Sequence, residues 1–155
     1  MSIAEVMRPH PITVRPHHTV LAAAAVLLEH GIDAVPVVTA EGEMRGIVDE
    51  ASLVLGLSDG AEVCTATVAD VMTPAPPTVG PDEDLRRAVD VVLGGARIVP
   101  VLDNGHLVGV VGARDLITWF ATHATGHATG HAAVEIPGRD AIYDAITRAS
   151  TAIVA

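Results

Sequence analysis

Apolar positions along this chain follow a helical spacing and then a strand-like run, and the whole sequence of patterns occurs twice. Val20, Ala24 and Leu27 stand at i, i+4 and i+7, as do Leu85, Val89 and Val92. That spacing puts each set on one face of a helix. Thr19 and Asp84 sit at matching N-cap positions, where a side-chain oxygen can accept from backbone N–H groups that the first turn leaves unpaired. Gly31 and Gly95 stop the two helices. Short continuous apolar runs follow at 34–38 and 98–102, and both read as buried strands. Turns come next, and Asn104-Gly105 is a strong hairpin signal. A third strand is expected at 45–48 and again at 107–111, and a last helix starts near Glu50 and near Arg114. With Thr13-Val14 and Thr78-Val79 as short extended pieces between prolines, each copy reads β-α-β-β-α. One such unit leaves a sheet face bare, so two must pack to close a core.

The duplication is also visible residue by residue. Val6-Met7 recurs as Val71-Met72, Pro9 as Pro74, Thr13-Val14 as Thr78-Val79 and Pro16 as Pro81, at one constant offset. The offset then shortens by one residue, so that Pro36 meets Pro100, and once more, so that Gly46 meets Gly109. Both deletions fall in expected loops, where backbone tolerates them. The organisation is therefore repeat 1 over 1–57, a linker over 58–66, repeat 2 over 67–122, a His/Gly-rich linker over 123–136, and an amphipathic helix over 137–155. In that tail, Ile142, Ala145, Ile146 and Ala149 share a face, which suits docking within a dimer.

Composition narrows the class. Half of the residues are hydrophobic, with a single Trp, Tyr and Phe, which suits a Val/Ile-rich sheet on Ala/Leu helices. The longest apolar run, 20–28, falls far short of the roughly 20 residues that span a bilayer. The first residues lack the basic and apolar regions of a signal peptide. Cys64 is the single cysteine, so no internal disulfide forms. These points favour a cytoplasmic protein with no membrane partner. The net charge of −10 disfavours nucleic acid at long range.

The ordered set "VM-x-P", "TV-x-P", "AVPVV" or "IVPVL", and "GVVGARDLI" resembles the CBS domain family, over roughly residues 2 to 121. The resemblance implies an α+β (α/β) fold of tandem repeats, packed sheet to sheet about a pseudo-twofold axis. It implies a regulatory module that binds an adenosine-containing ligand (AMP, ADP, ATP or S-adenosylmethionine) between the repeats, without being an enzyme, and that forms a homodimer regulating another protein.

The family's signature runs from the third strand into the last helix, Gly-apolar-x-Thr/Ser-x-x-Asp. In the second copy it reads Gly109 to Asp115. Asp115 fits the ribose role, since a carboxylate can accept from both hydroxyls. Arg114 fits a phosphate role, and Gly112, in place of Thr/Ser, opens backbone N–H groups to close approach. Thr78, Pro77, Ile98 and Val99 are expected around the base. In the first copy Ser52 replaces the ribose Asp, and Asp49 and Glu50 put negative charge where phosphate would sit. That cleft, with Thr13, Ile12, Val35 and Ser52, is expected to be weak, empty, or suited to an uncharged or cationic adenosyl ligand. A structural reading stands beside this one: Asp115 caps its helix, Arg114 is a solvated surface residue, and Pro36 and Pro100 end their strands.

Two alternatives belong to other classes. One is a dimerising scaffold with vestigial clefts. The other is a metal-responsive protein using His123, His127 and His131, four residues apart, where an i, i+4 pair on a helix can chelate Zn²⁺, Ni²⁺ or Cu²⁺. Gly126 and Gly130 interrupt that stretch, and the repeated Ala-Thr-Gly-His favours a linker. No nucleophile–base arrangement, Walker-type loop or paired catalytic carboxylate appears in the sequence.

Overall fold

The computed structural model describes residues 1–58 and 65–124. Residues Met1–Ala113 form one compact body, and a second begins at Arg114. In the first body the order is a 3-10 turn (Ile3–Glu5), β1 (Arg8–Pro9), α1 (Val20–His30), β2 (Ala34–Val38), β3 (Met44–Asp49), α2 (Glu50–Ser58), α3 (Val68–Val71), β4 (Thr73–Pro74), α4 (Leu85–Leu93), β5 (Ile98–Asp103) and β6 (His106–Gly112). α5 (Ala113–Ala124) follows directly.

The local signals act where the residues predict. Thr19 Oγ1 accepts from the Ala22 N–H at 3.1 Å, and Asp84 Oδ1 accepts from the Arg86 N–H at 2.9 Å. Gly31 ends α1 in the left-handed region at φ 61°. α4 ends one residue earlier than expected, at Gly94, and Gly95 takes the positive φ of 107°. Asn104 and Gly105 turn the β5–β6 hairpin with φ of 48° and 81°, as a two-residue loop between twisted strands requires. α1 buries Val20, Ala23 and Leu27, so its inward stripe includes Ala23, while Ala24 is only partly covered.

The sheets depart from a simple picture of two self-contained units. β2, β3 and β4 form one sheet; β1, β6 and β5 form the other. β1 of repeat 1 pairs antiparallel with β6 of repeat 2 (Arg8 with Val110, Pro9 with Gly109), and β4 of repeat 2 pairs with β3 (Gly46 with Pro74, Ile47 with Thr73). Each repeat thus lends its opening segment to the other. The turns that precede these strands cross over too. Ile3 and Ala4 donate to the carbonyls of Glu83 and Pro81, ahead of α4. Val68 and Ala69 donate to those of His18 and Pro16, ahead of α1.

The crossing needs glycine. A Cβ on Gly109 would lie 2.6 Å from Met7 Sδ, and one on Gly46 would lie 2.6 Å from the Thr73 carbonyl. Met7 and Met72, expected as core residues, are half-buried and pack over these two glycines.

After the crossing, the chain returns home. Val14 bridges in parallel to Val37 and Val79 to Val101. Pro36 and Pro100 lie inside β2 and β5, and so do not end them. They are tolerated because both are edge strands, and their carbonyls accept from Val14 and Val79 at 3.0 and 3.1 Å. Val35, Val37 and Val48, with their counterparts Val99, Val101 and Val111, are fully buried. Each contributes roughly 1.5–3 kcal/mol of burial. Ala34, Ile98 and Val110, with Ile47 against them, join the two sheets.

Candidate functional site

Between β1 and Val14 the opening segment crosses from one sheet to the other, and a cavity of about 210 Å³ lies beside it. Arg8, Pro9, His10, Pro11 and Ile12 form one wall; Ile32, Ala34 and Pro36 form a second. Ile98 of β5 and Val110 of β6 complete it from repeat 2. The alternation of a strand explains which residues reach it. Ala34 and Pro36 share one face of β2, while Val35 and Val37 point to the core of repeat 1.

The segment turns at His10, whose φ is 51°, and Ala75 repeats the turn in repeat 2 with φ 45°. A non-glycine residue in this region costs of order 1 kcal/mol and persists only when its surroundings impose it. Here the imposition is shared by both copies. Beside the cavity, Asp33 and Arg97 occupy matching positions in the two repeats and approach to 3.8 Å. Both are more than half exposed, so the pair contributes under about 1 kcal/mol.

The sequence-predicted site residues are distributed as follows. Ile12 and Ile98 meet in one cavity, although the sequence grouping put them in different clefts. The exchange of opening segments is the reason: residues after β1 lie against the strands of repeat 2. Val99 and Val35 are not on the cavity wall, because their side chains take the core-facing positions of their strands. Thr13, Thr78 and Gly112 are also absent from the wall, and Pro77 is exposed. Ser52 is tied to the start of α2: its N–H and its hydroxyl both donate to Asp49 Oδ1 at 2.8 Å. Asp49 therefore acts as a cap at the start of α2. Arg114 and Asp115 lie in the first turn of α5, in the second body, with Arg114 exposed and Asp115 half-buried.

His123 stacks on Trp119 at 4.4 Å between centroids, and its Nδ1 lies 2.9 Å from the Trp119 carbonyl. His127, His131, Cys64 and the 137–155 helix lie outside the described residues. Among the described residues, no three His, Cys, Asp or Glu side chains gather as a metal site would need. No helix among them is long and apolar enough to cross a membrane. Sequence reasoning missed Arg8, His10 and Val110 as cavity residues. The repeat alignment located the opening segment, but nothing local in it states which sheet it joins.

The model of the CBS domain matches residues 3–59 and 68–122. The chain belongs to the CBS domain family. An uncharacterized protein of Methanopyrus kandleri is 33% identical over 120 residues, which is 76% of this chain and 61% of that protein. The chain thus spans less than two thirds of this relative's length. Among solved structures, CBSX2 in complex with AMP superposes with a TM-score of 0.72 at 23% identity, covering 79% of this chain and 98% of that one. The CBS domain pair of MJ0100, in complex with 5′-methylthioadenosine and S-adenosyl-L-methionine, gives 0.70 at 24% identity, covering 79% and 98%. At these identities the likeness establishes the fold.

Proposed function

We propose that this chain is a regulatory, non-enzymatic module that senses an adenosine-containing ligand in the cavity between its two CBS repeats. The observation that carries this reading is the cavity itself, whose walls come from both repeats. A ligand there touches the junction of the sheets, so it can favour one packing of the repeats over another by its differential affinity. CBS pairs of the same fold hold AMP, 5′-methylthioadenosine or S-adenosylmethionine. The apolar wall of Ala34, Pro36, Ile98 and Val110 suits a flat base.

In this reading Asp115 accepts from the ribose hydroxyls and Arg114 meets phosphate, while Gly112 lets backbone N–H groups approach. By the exchange of segments, Ile12 serves this cleft. Pro77 and Thr78 serve the opposite one, beside β3, Asp49 and Ser52.

Calorimetry with AMP, ADP, ATP, NAD and S-adenosylmethionine tests the proposal. Binding of at least one, lost in Asp115→Ala with the fold intact, is the expected result; no heat and no thermal shift across the panel contradicts it.

A second reading is a dimerising scaffold, and one observation favours it. Leu28, Val54 and Leu55, on α1 and α2, are 83%, 65% and 62% exposed. Exposed apolar side chains of this size suit a homodimer contact.

A further inference from the structure

We infer that Arg8 and His10 make the described cavity selective for anionic, phosphorylated adenosine over neutral or cationic adenosyl ligands. The inference rests on the proposed function and concerns which member of that ligand class the cleft takes.

Two observations on this chain carry it. The first is the geometry of the opening segments. Arg8 and His10 line the cavity, one in β1 and one at the left-handed turn that follows. Their counterparts in repeat 2, Thr73 and Ala75, occupy the same pairing register and the same left-handed turn. At these two positions the backbones match, and the openings differ there in side-chain chemistry: guanidinium and imidazole on one side, hydroxyl and methyl on the other.

The second observation is the charge along those segments. Residues 6–19 hold Arg8, His10, Arg15, His17 and His18 and no acidic residue; residues 71–84 hold Asp82, Glu83 and Asp84 and no basic one. In a chain of net charge −10, this opening segment is basic throughout, and two of its basic residues, Arg8 and His10, line the cavity. A phosphate at its mouth gains charge-assisted hydrogen bonds that a neutral 5′ group cannot form, while a sulfonium meets repulsion.

The test is calorimetry of the full chain with AMP, adenosine and S-adenosylmethionine at low salt, in the wild type and in Arg8→Gln/His10→Asn. Asparagine tolerates the left-handed turn at position 10, and Arg8→Gln alone serves if the pair misfolds. The expected result is an affinity for AMP at least about tenfold above that for adenosine. In the variant the ratio should fall at least about fivefold, to what Arg114 alone sustains, with adenosine affinity unchanged within about twofold. Equal wild-type binding of AMP and adenosine, or of AMP and S-adenosylmethionine, overturns the inference while leaving the adenosine-sensing reading intact. A ratio that survives both substitutions also overturns it and assigns the selection to another cation. Failure of all three ligands to bind the wild type overturns the inference; the adenosine-sensing reading falls with it only if ADP, ATP and NAD give no heat either.

Discussion

Repeat 1 and repeat 2 share a backbone plan and differ in what they present to solvent. α1 is apolar nearly all round, with Leu21, Ala22, Ala25 and Leu28 outward, whereas α4 turns Arg86, Arg87 and Asp90 outward over a buried stripe of Leu85, Ala88 and Val89. The openings differ in the same spirit, one basic and one acidic. The features that match are those the fold requires: caps at Thr19 and Asp84, glycines at 46 and 109, a left-handed residue at 10 and 75. Duplication thus preserved the exchange of segments and left outer surfaces and cleft mouths to diverge. The difference teaches that the symmetric features are those the exchange of segments requires, while side chains facing solvent and the cavity mouth are free of that constraint.

The glycine pair offers the strongest way to break the comparison. Gly46→Ala pushes a methyl against a backbone oxygen, which can yield only by moving β4; Gly109→Ala first meets the flexible end of Met7, then the Arg8 carbonyl at 3.0 Å. Urea unfolding should show losses of about 2–3 kcal/mol at Gly46 and about 1–2 kcal/mol at Gly109. Equal and negligible losses would mean that the strands do not cross as described.

The caps sharpen the comparison at a smaller scale. Thr19→Ala and Asp84→Ala should each cost about 1 kcal/mol in the same assay, because each removes an acceptor for a first-turn N–H. Matching values would show that the two helix starts are energetically equivalent despite their different residues.

The smallest effect is a pH dependence that rests on Asp70. Asp70 accepts from the N–H and hydroxyl of Thr67 at 3.0 and 2.9 Å, and these hydrogen bonds, the backbone one first, hold its carboxyl below the ordinary 3.8. A depressed folded-state value means that its contribution is fully present above the ordinary value and is lost as pH falls through the lower one. Asp70→Asn should therefore reduce the slope of stability with pH below about 4 and leave the neutral-pH slope unchanged. An unchanged acid limb would remove Asp70 from the account.

Much of the fold was legible because its signals are local. The caps, the Gly31 stop, the Asn104-Gly105 turn and the apolar runs of β2 and β5 each act within a few residues. The end of α4 was off by one because Gly94 and Gly95 adjoin, and either can stop a helix. The exchange of β1 and β4 was not legible. A two-residue strand carries no alternation, and its partner lies far along the chain, Gly46 and Ile47 for β4 and Gly109 and Val110 for β1. The site inherited that gap: Ile98 and Ile12 were named, but sorted into clefts as if each opening stayed with its own repeat. Val35 and Val99 were named for lying in the right strands, on the faces that turn to the core.

Photolabelling with 8-azido-AMP, followed by peptide mapping, addresses the central claim most directly. The account predicts labelling within residues 8–12 and in β5 or β6, suppressed by unlabelled AMP. Label confined to residues 73–78 and β3 would contradict it.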